Sequence, residues 1–215
     1  MTNPHPVSDF DRAYLPANAP KQMRIAGIDE VGRGALFGPV VAAAICLSLE
    51  QCQQLEAIGV RDSKQLSPKK RTKLAKEIAA IAEVRIGYAT VAEIDRLNIL
   101  QASLLAMKRA ILKLAIVPEF CAIDGKFSIP HLEIPQKAIV GGDRQSPLIA
   151  AASIVAKVWR DDLIVRFARK YPHYDLAANK GYGTKRHRQG IAEYGISPQH
   201  RMSFKYRIFR QRDRQ

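Results

Sequence analysis

The first apolar cluster along the chain is Arg24–Asp29 (RIAGID), a short hydrophobic run with strand character. A turn is expected at Gly32-Arg33-Gly34. Pro39–Leu47 (PVVAAAICL) then reads as a second strand, apolar without alternation and therefore buried on both faces. Ser67-Pro68 gives a helix start, with serine as N-cap and proline at the first helical position. From there to about Ala82, lysines occupy one face while Leu74, Ile78 and Ile81 occupy the other. Val84–Val91 alternates loosely and predicts a strand. Ala92–Ala115 carries one long helical pattern, with Ile94, Leu97, Leu104, Leu105, Ile111 and Leu114 on its buried side. Phe120–Asp124 and Lys137–Val140 read as short strands. Ser146–Lys170 reads as helix throughout, opening on the small residues Ala150, Ala151, Ala152 and Ser153. Strands first, then alternating strands and helices, predict an α/β fold in which helices flank a mixed sheet.

Residues 1–22 contain four prolines and no periodicity, and read as a flexible or surface-hugging arm. Residues 23–215 read as one domain whose end, from about residue 171, is a basic, helical and aromatic extension. No period of 20–50 residues repeats.

With 47% hydrophobic and 25% charged residues, the 215-residue chain has the makings of a sizeable core. Its charge is more distinctive. Thirty-four Lys and Arg against 20 Asp and Glu leave +14, and the excess is concentrated late. Residues 1–156 hold 19 basic and 15 acidic side chains, residues 157–215 hold 15 and 5. Such asymmetry implies a polyanionic partner, nucleic acid or an anionic membrane surface. The longest apolar runs, Val40–Leu47 and Leu148–Ala156, fall far short of the ~20 residues a membrane helix needs. The proline-rich N-terminus does not resemble a signal peptide. Three cysteines without a C-x-x-C pair argue against a disulfide framework or zinc ribbon and suit a reducing compartment. A soluble, cytoplasmic, monomeric protein with no membrane partner is the expectation.

Glycines after the first strand invite a dinucleotide-binding reading. Gly32, Gly34 and Gly38 have the wrong spacing for it, and a second strand follows where a helix is required. What remains is a set of acids. Asp29 and Glu30 end one apolar strand, Asp124 ends another before Gly125, and Asp143 closes a third extended run, Ala138-Ile-Val-Gly-Gly-Asp143. One acid at a strand end simply enters solvent; three strands with the same ending point to the crevice at the carboxyl ends of an α/β sheet. Converging carboxylates repel by roughly 4 kcal/mol at ~4 Å and an effective dielectric of about 20. They must hold protons or bind cations. All-oxygen coordination selects Mg²⁺ or Mn²⁺, and the five histidines show no zinc-ligand pairing. Carboxylates with hard cations beside a basic surface suit two-metal phosphodiester chemistry.

Taken together, GIDEVGRG, DSKQLS, AIDG, GGDRQSPLIAAASIVAKVWRD, KGYGTKRH and SPQHRMSF resemble bacterial ribonuclease HII, over about Arg24 to Phe204. The resemblance implies a ribonuclease H-like fold and Mg²⁺- or Mn²⁺-dependent cleavage of the RNA strand of RNA–DNA hybrids. It also implies action on ribonucleotide-containing duplex DNA. The family's four acids fall on Asp29, Glu30, Asp124 and Asp143, as catalytic residues and metal ligands. The family's DEAGRGPLAGP is here DEVGRGALFGP, an apolar change outside the acids. Gly32, Arg33 and Gly34, otherwise a tight turn, are assigned to backbone contacts with the ribose 2′-OH. Lys64, otherwise a solvated lysine, is placed near the scissile phosphate. Ser153 either permits close helix–sheet packing or contacts phosphate. Tyr182, between glycines and close to Lys180, Lys185, Arg186, His187 and Arg188, is either a core aromatic or a ring exposed to nucleic acid. Lys185 and Arg186 would hold phosphates. His187 and His200 read as structural or phosphate-facing, and Asp161 and Asp162 as surface charges or salt-bridge partners.

Two other readings share some of these features. A junction resolvase or integrase-like nuclease needs the acids but no 2′-OH reader. A non-catalytic RNA- or hybrid-binding protein needs the basic end and ignores Mg²⁺.

Overall fold

The computed structural model describes residues 13–60 and 66–204. Its strands are β1 (Arg24–Val31), β2 (Val40–Ser48), β3 (Glu83–Ala89), β4 (Phe120–Asp124) and β5 (Gln136–Ile139), in one sheet of order β3-β2-β1-β4-β5. β2 pairs antiparallel with β1 and β3, while β1–β4 and β4–β5 are parallel. All nine residues of β2 are buried, as its unbroken apolar run predicts.

The helices are α1 (Cys52–Ala57), α2 (Pro68–Ile81), α3 (Val91–Leu97), α4 (Ile99–Ile111), α5 (Pro147–Lys170), α6 (Leu176–Asn179) and α7 (Lys185–Tyr194). Ile25, Ile45 and Leu47 pack with Leu55 of α1, Leu74 and Ile78 of α2, and Ala151 to Val155 of α5 on one face of the sheet. Ala26, Ile28 and Cys46 pack on the other face with Ile94 of α3 and Ala102, Ala106, Met107 and Ala110 of α4. Gly27 lets α5 lie close against the sheet, since a Cβ there would come within 2.5 Å of the Leu148 carbonyl. The small-residue start of α5 serves the same contact, with Ala150, Ala151 and Ala152 fully or almost fully buried.

The capping predicted at Ser67 holds, and Ser146, for which no cap was predicted, caps α5 in the same way. Ser67 Oγ accepts from Lys70 N–H at 3.3 Å, and Ser146 Oγ accepts from Ile149 N–H at 3.1 Å. One prediction is corrected: the pattern over 92–115 is two helices, not one. Asn98 breaks it at φ 71°, and its side chain accepts from the N–H groups of Leu100 and Gln101, capping α4. Both segments keep an apolar face toward the sheet, so the hydrophobic period runs through the break. The short α1 carried no clear sequence signal.

Residues 13–22 lie in turns, with Leu15 and Ala19 packed against the core. Beyond α5 the chain folds back over the β1–β2 turn. Leu36, Phe37, Ile164, Tyr174, Leu176 and Ile191 form a separate apolar cluster there. Phe37 pairs with His200 in an isolated antiparallel bridge. Among the described residues, no helix is long and apolar enough to cross a membrane.

Candidate active site

Parallel pairing of β1 and β4 brings their carboxyl ends together. Ile28 stands opposite Ile123, so the next residues, Asp29 and Asp124, emerge side by side. The strand alternation fixes their side: Asp29 follows Ile25 and Gly27 on the α5 face, and Asp124 follows Ala122, which packs on Ile149 of α5. Glu30 completes the group. Carboxylate oxygens of Asp29, Glu30 and Asp124 all lie within 4.8 Å of one another.

The three are held differently. Asp29 is 5% exposed; its Oδ1 accepts the Glu30 N–H at 2.7 Å, and its carboxylate accepts a hydrogen bond from Ser153. Burial first, then the charges of Glu30 and Asp124, push its pKa well above the usual carboxylate range. Glu30 meets Arg33 Nη1 at 3.2 Å, yet burial still outweighs that cation and its pKa is also raised. Asp124 Oδ1 accepts the Gly142 N–H at 2.8 Å, which ties the end of β4 to the 3₁₀ turn Gly142–Arg144. Asp143 sits in that turn, buried and lining the same cavity, but outside the group of three. It therefore lies past the end of β5 and does not close a strand.

The cavity, of about 410 Å³, is lined by the four acids, Gly32, Arg33, Gly34, Ser153 and Tyr182, together with Val31, Arg71 and Lys157. Convergent oxygens held partly desolvated, with raised proton affinity and no histidine or cysteine among them, fit a hard divalent cation. Zinc, which prefers nitrogen and sulfur ligands, does not suit this donor set.

Gly32 and Gly34 are not equivalent. Gly32 is buried at φ +93°, and a Cβ there would fall 2.1 Å from Arg160 Nε. Its carbonyl already accepts from Arg201 Nη2 at 2.7 Å. Around Gly34 a Cβ would meet nothing within 4 Å, so Gly34 is where the loop faces open space. Ser153 is buried, and its side chain hydrogen-bonds the Asp29 carboxylate. Tyr182 is half-buried, its ring 5.6 Å from both Lys157 Nζ and Arg160 Cζ.

Arg71 lies in no quoted motif, and Lys157 lies within GGDRQSPLIAAASIVAKVWRD without that motif singling it out. Lys157 had a spacing signal: it lies four residues after Ser153 on α5, one helical turn along the same face. Its Nζ pairs with Asp161 at 2.8 Å, which accounts for that acid away from the cluster. Arg71 Nη2 donates to Leu66 O at 2.9 Å beside the segment that carries Lys64, and Lys64 itself lies outside the described residues.

Lys185 and Arg186 are exposed in the first turn of α7 and do not line the cavity. His187, which would add a cation to this basic run only if protonated, turns inward. It is fully buried, and burial lowers its pKa. His187 Nδ1 faces the Tyr182 carbonyl at 2.9 Å, its Nε2 faces His200 Nε2 at 3.1 Å, and the Ser197 N–H donates to His200 Nδ1 at 2.9 Å. One neutral pair of tautomers satisfies every contact, with protons on His187 Nδ1 and His200 Nε2. Of the structural and phosphate-facing readings, the buried contacts favour the structural one.

A sequence profile described as Ribonuclease HII matches residues 26–207. The curated ribonuclease HII of Microcystis aeruginosa is 62% identical over 180 residues, covering 84% of this chain and 86% of that protein. That of Synechocystis sp. is 54% identical over 190 residues, 88% and 100% of the two chains. The crystal structure of ribonuclease H2 from Pyrococcus horikoshii superposes with a TM-score of 0.75 at 29% identity, over 86% of this chain and 95% of that one. The fold is thus that of the ribonucleases H. The parallel β1–β4 pair with its acids, carried in the motifs that span the matched region, is in keeping with this, and the chain belongs to the ribonuclease HII family, enzymes that cleave the RNA of RNA–DNA hybrids.

Proposed function

We propose that this enzyme incises duplex DNA on the 5′ side of a single embedded ribonucleotide, as well as the RNA strand of longer hybrids, leaving 5′-phosphate and 3′-OH ends. The observation that carries the reading is the convergence of Asp29, Glu30 and Asp124 within 4.8 Å in a cavity that also presents Gly34 and Tyr182. Asp29, Glu30, Asp124 and Asp143 would hold Mg²⁺ or Mn²⁺. Bound there, divalent ions supply activation of water and charge stabilisation at the leaving 3′-oxygen. Ser153 orients Asp29, and the Gly142 N–H orients Asp124, so both carboxylates are fixed before any ion arrives. Arg33, on its Glu30 contact, marks the rim on the ribose side. Gly34 gives the backbone an approach to a 2′-OH, which both donates and accepts. Tyr182 offers a flat face to the adjoining deoxyribose. Lys64 would hold the scissile phosphate, and Lys185 and Arg186 phosphates further along the duplex.

The test is a labelled duplex containing one ribonucleotide, with and without divalent metal, beside an all-DNA duplex and a long hybrid. Cutting 5′ of the ribonucleotide only with metal, and no cutting of all-DNA, is the expected result. Cleavage of the all-DNA duplex would favour a junction resolvase or integrase-like nuclease. Binding without metal-dependent cleavage would favour a hybrid-binding protein. Full activity in excess chelator would remove the metal from the reading.

A further inference from the structure

Among the described residues two arginines are completely buried, and both direct their donors to the same stretch of backbone. Arg160, from the middle of α5, donates from Nε to Pro39 O at 3.1 Å, from Nη2 to Phe37 O at 3.0 Å and from Nη1 to Lys180 O at 2.9 Å. Arg201, beyond α7, donates from Nε to Gly38 O at 3.0 Å, from Nη1 to Arg33 O at 2.8 Å and from Nη2 to Gly32 O at 2.7 Å. Five of these six acceptors belong to residues 32–39, and the sixth lies two residues before Tyr182.

An apolar side chain would fill either space without the cost of burying a guanidinium. What only the arginines do is fix carbonyl positions. The planar fork sets the direction of several acceptors at once. Arg160 also lies beneath both reading elements: its guanidinium carbon is 5.6 Å from the Tyr182 ring, and its Nε leaves no space for a side chain at Gly32. The two loops are joined directly as well, the Leu36 N–H donating to Gly181 O at 2.8 Å.

We propose that Arg160 and Arg201 are positioning residues that clamp the 32–39 loop against the Lys180–Tyr182 turn, setting the spacing between the ribose-facing backbone at Gly34 and the ring of Tyr182. The inference rests on the proposed reading of those two elements as the ribose and junction sensors. It assigns Gly32 to the clamp and leaves Gly34 to the substrate. A single ribonucleotide has one productive register, so a spacing error is fatal to it. A long hybrid offers a 2′-OH at every RNA position and tolerates a shifted register.

The experiment compares Arg160→Lys, Arg201→Lys and the volume-preserving Arg160→Met with wild type. Mn²⁺ affinity, the thermal transition, and kcat and KM on a single-ribonucleotide duplex and on a long hybrid are measured. A displacement near 1 Å costs on the order of 100-fold in rate. The lysine variants should therefore lose roughly that in kcat/KM on the single-ribonucleotide duplex, about tenfold or less on the hybrid, and bind Mn²⁺ within about twofold of wild type. Arg160→Met should be the most selective in its loss. Equal proportional losses on both substrates, unchanged discrimination, or a parallel loss of Mn²⁺ affinity would overturn the clamp. So would the absence of a cooperative thermal transition in both lysine variants, which would make the arginines core elements only. Wild type failing to cut the single-ribonucleotide duplex would instead overturn the ribose reading on which the clamp depends.

Discussion

Asp124 adds repulsion to the acid cluster that is proposed to hold the metal. It stands beside Asp29 because β1 and β4 run parallel in register, and its charge raises the proton affinity of both neighbours. Asp124→Asn keeps an oxygen to accept the Gly142 N–H and removes one repelling charge. In chelator the variant should melt at a higher temperature than wild type. It should lose the melting shift that Mg²⁺ gives wild type, and it should cleave hybrid more than ~100-fold more slowly, since several kcal/mol of charge stabilisation depend on the ion site. Differential scanning fluorimetry with and without Mg²⁺, alongside a cleavage assay, checks all three; near-normal turnover would remove Asp124 from the site. Tyr182 and Gly34 give a second prediction. Tyr182→Phe should keep most activity on a single-ribonucleotide duplex because the flat ring remains, whereas Tyr182→Ala should lose ~10-fold, on the scale of the ~1–3 kcal/mol that an aromatic ring contributes when stacked on a base. Gly34→Val should lose activity with little change in melting temperature, because a Cβ there meets open space in the protein and only a substrate can collide with it. Equal loss in Tyr182→Phe and Tyr182→Ala would place the essential contact at the hydroxyl.

At the scale of elements, periodicity in the sequence was enough to find most of the sheet and the two long capped helices, because burial on one or both faces leaves a repeating mark. It could not find the break at Asn98, where α3 and α4 keep the same apolar face and the local change is a single backbone angle. Asn98 is nonetheless a residue type favoured at N-caps, so the signal existed and the period masked it. Contacts made across the chain leave still less trace. Arg160 reaches carbonyls 121 and 123 positions away, and nothing near it in sequence announces that. The His187–His200 pair between α7 and the final turn is likewise invisible locally, yet it carries a pH dependence. Burial, then His187, lowers the His200 pKa to about 4, and burial lowers that of His187. Phe37 and Tyr174 flank His200 with their rings at 5.1 and 4.6 Å, leaving little room for solvent to stabilise an added charge. The folded protein therefore binds fewer protons than the unfolded chain, whose histidines titrate near 6.5, so this contribution to stability is complete above about pH 6.5 and is lost as pH falls toward 4. His200→Gln should melt lower than wild type at pH 7 but show a flatter decline between pH 6.5 and 4. A decline parallel to wild type would show that other groups govern acid unfolding.

Across the whole molecule, the late charge excess overstates the basic surface, because Arg160 and Arg201 are buried in backbone contacts. Lys185 and Arg186 remain exposed, and their placement is unfavourable for folding. They occupy the first turn of α7, capped by Thr184, where no acid is present and the helix dipole repels cations. Each sits there at a cost of about 0.3–1 kcal/mol, which exposure and salt reduce. Two cations at the unfavourable end of a helix, three and four residues after Tyr182, do not serve stability, and the proposed function gives them a polyanion to hold. Replacing both with alanine should leave the melting temperature equal or slightly raised while weakening binding to hybrid and to plain duplex DNA alike. Each phosphate contact contributes about −0.7 to −0.9 to the log–log dependence of affinity on salt, so the slope should flatten by roughly 1.4 to 1.8 if both side chains touch phosphates. Fluorescence anisotropy in Ca²⁺ or without metal, over a series of salt concentrations, measures the slope without cleavage. A lowered melting temperature with an unchanged slope would return both residues to a structural role. A loss confined to hybrid would mean that they read the shape of the duplex and not its charge.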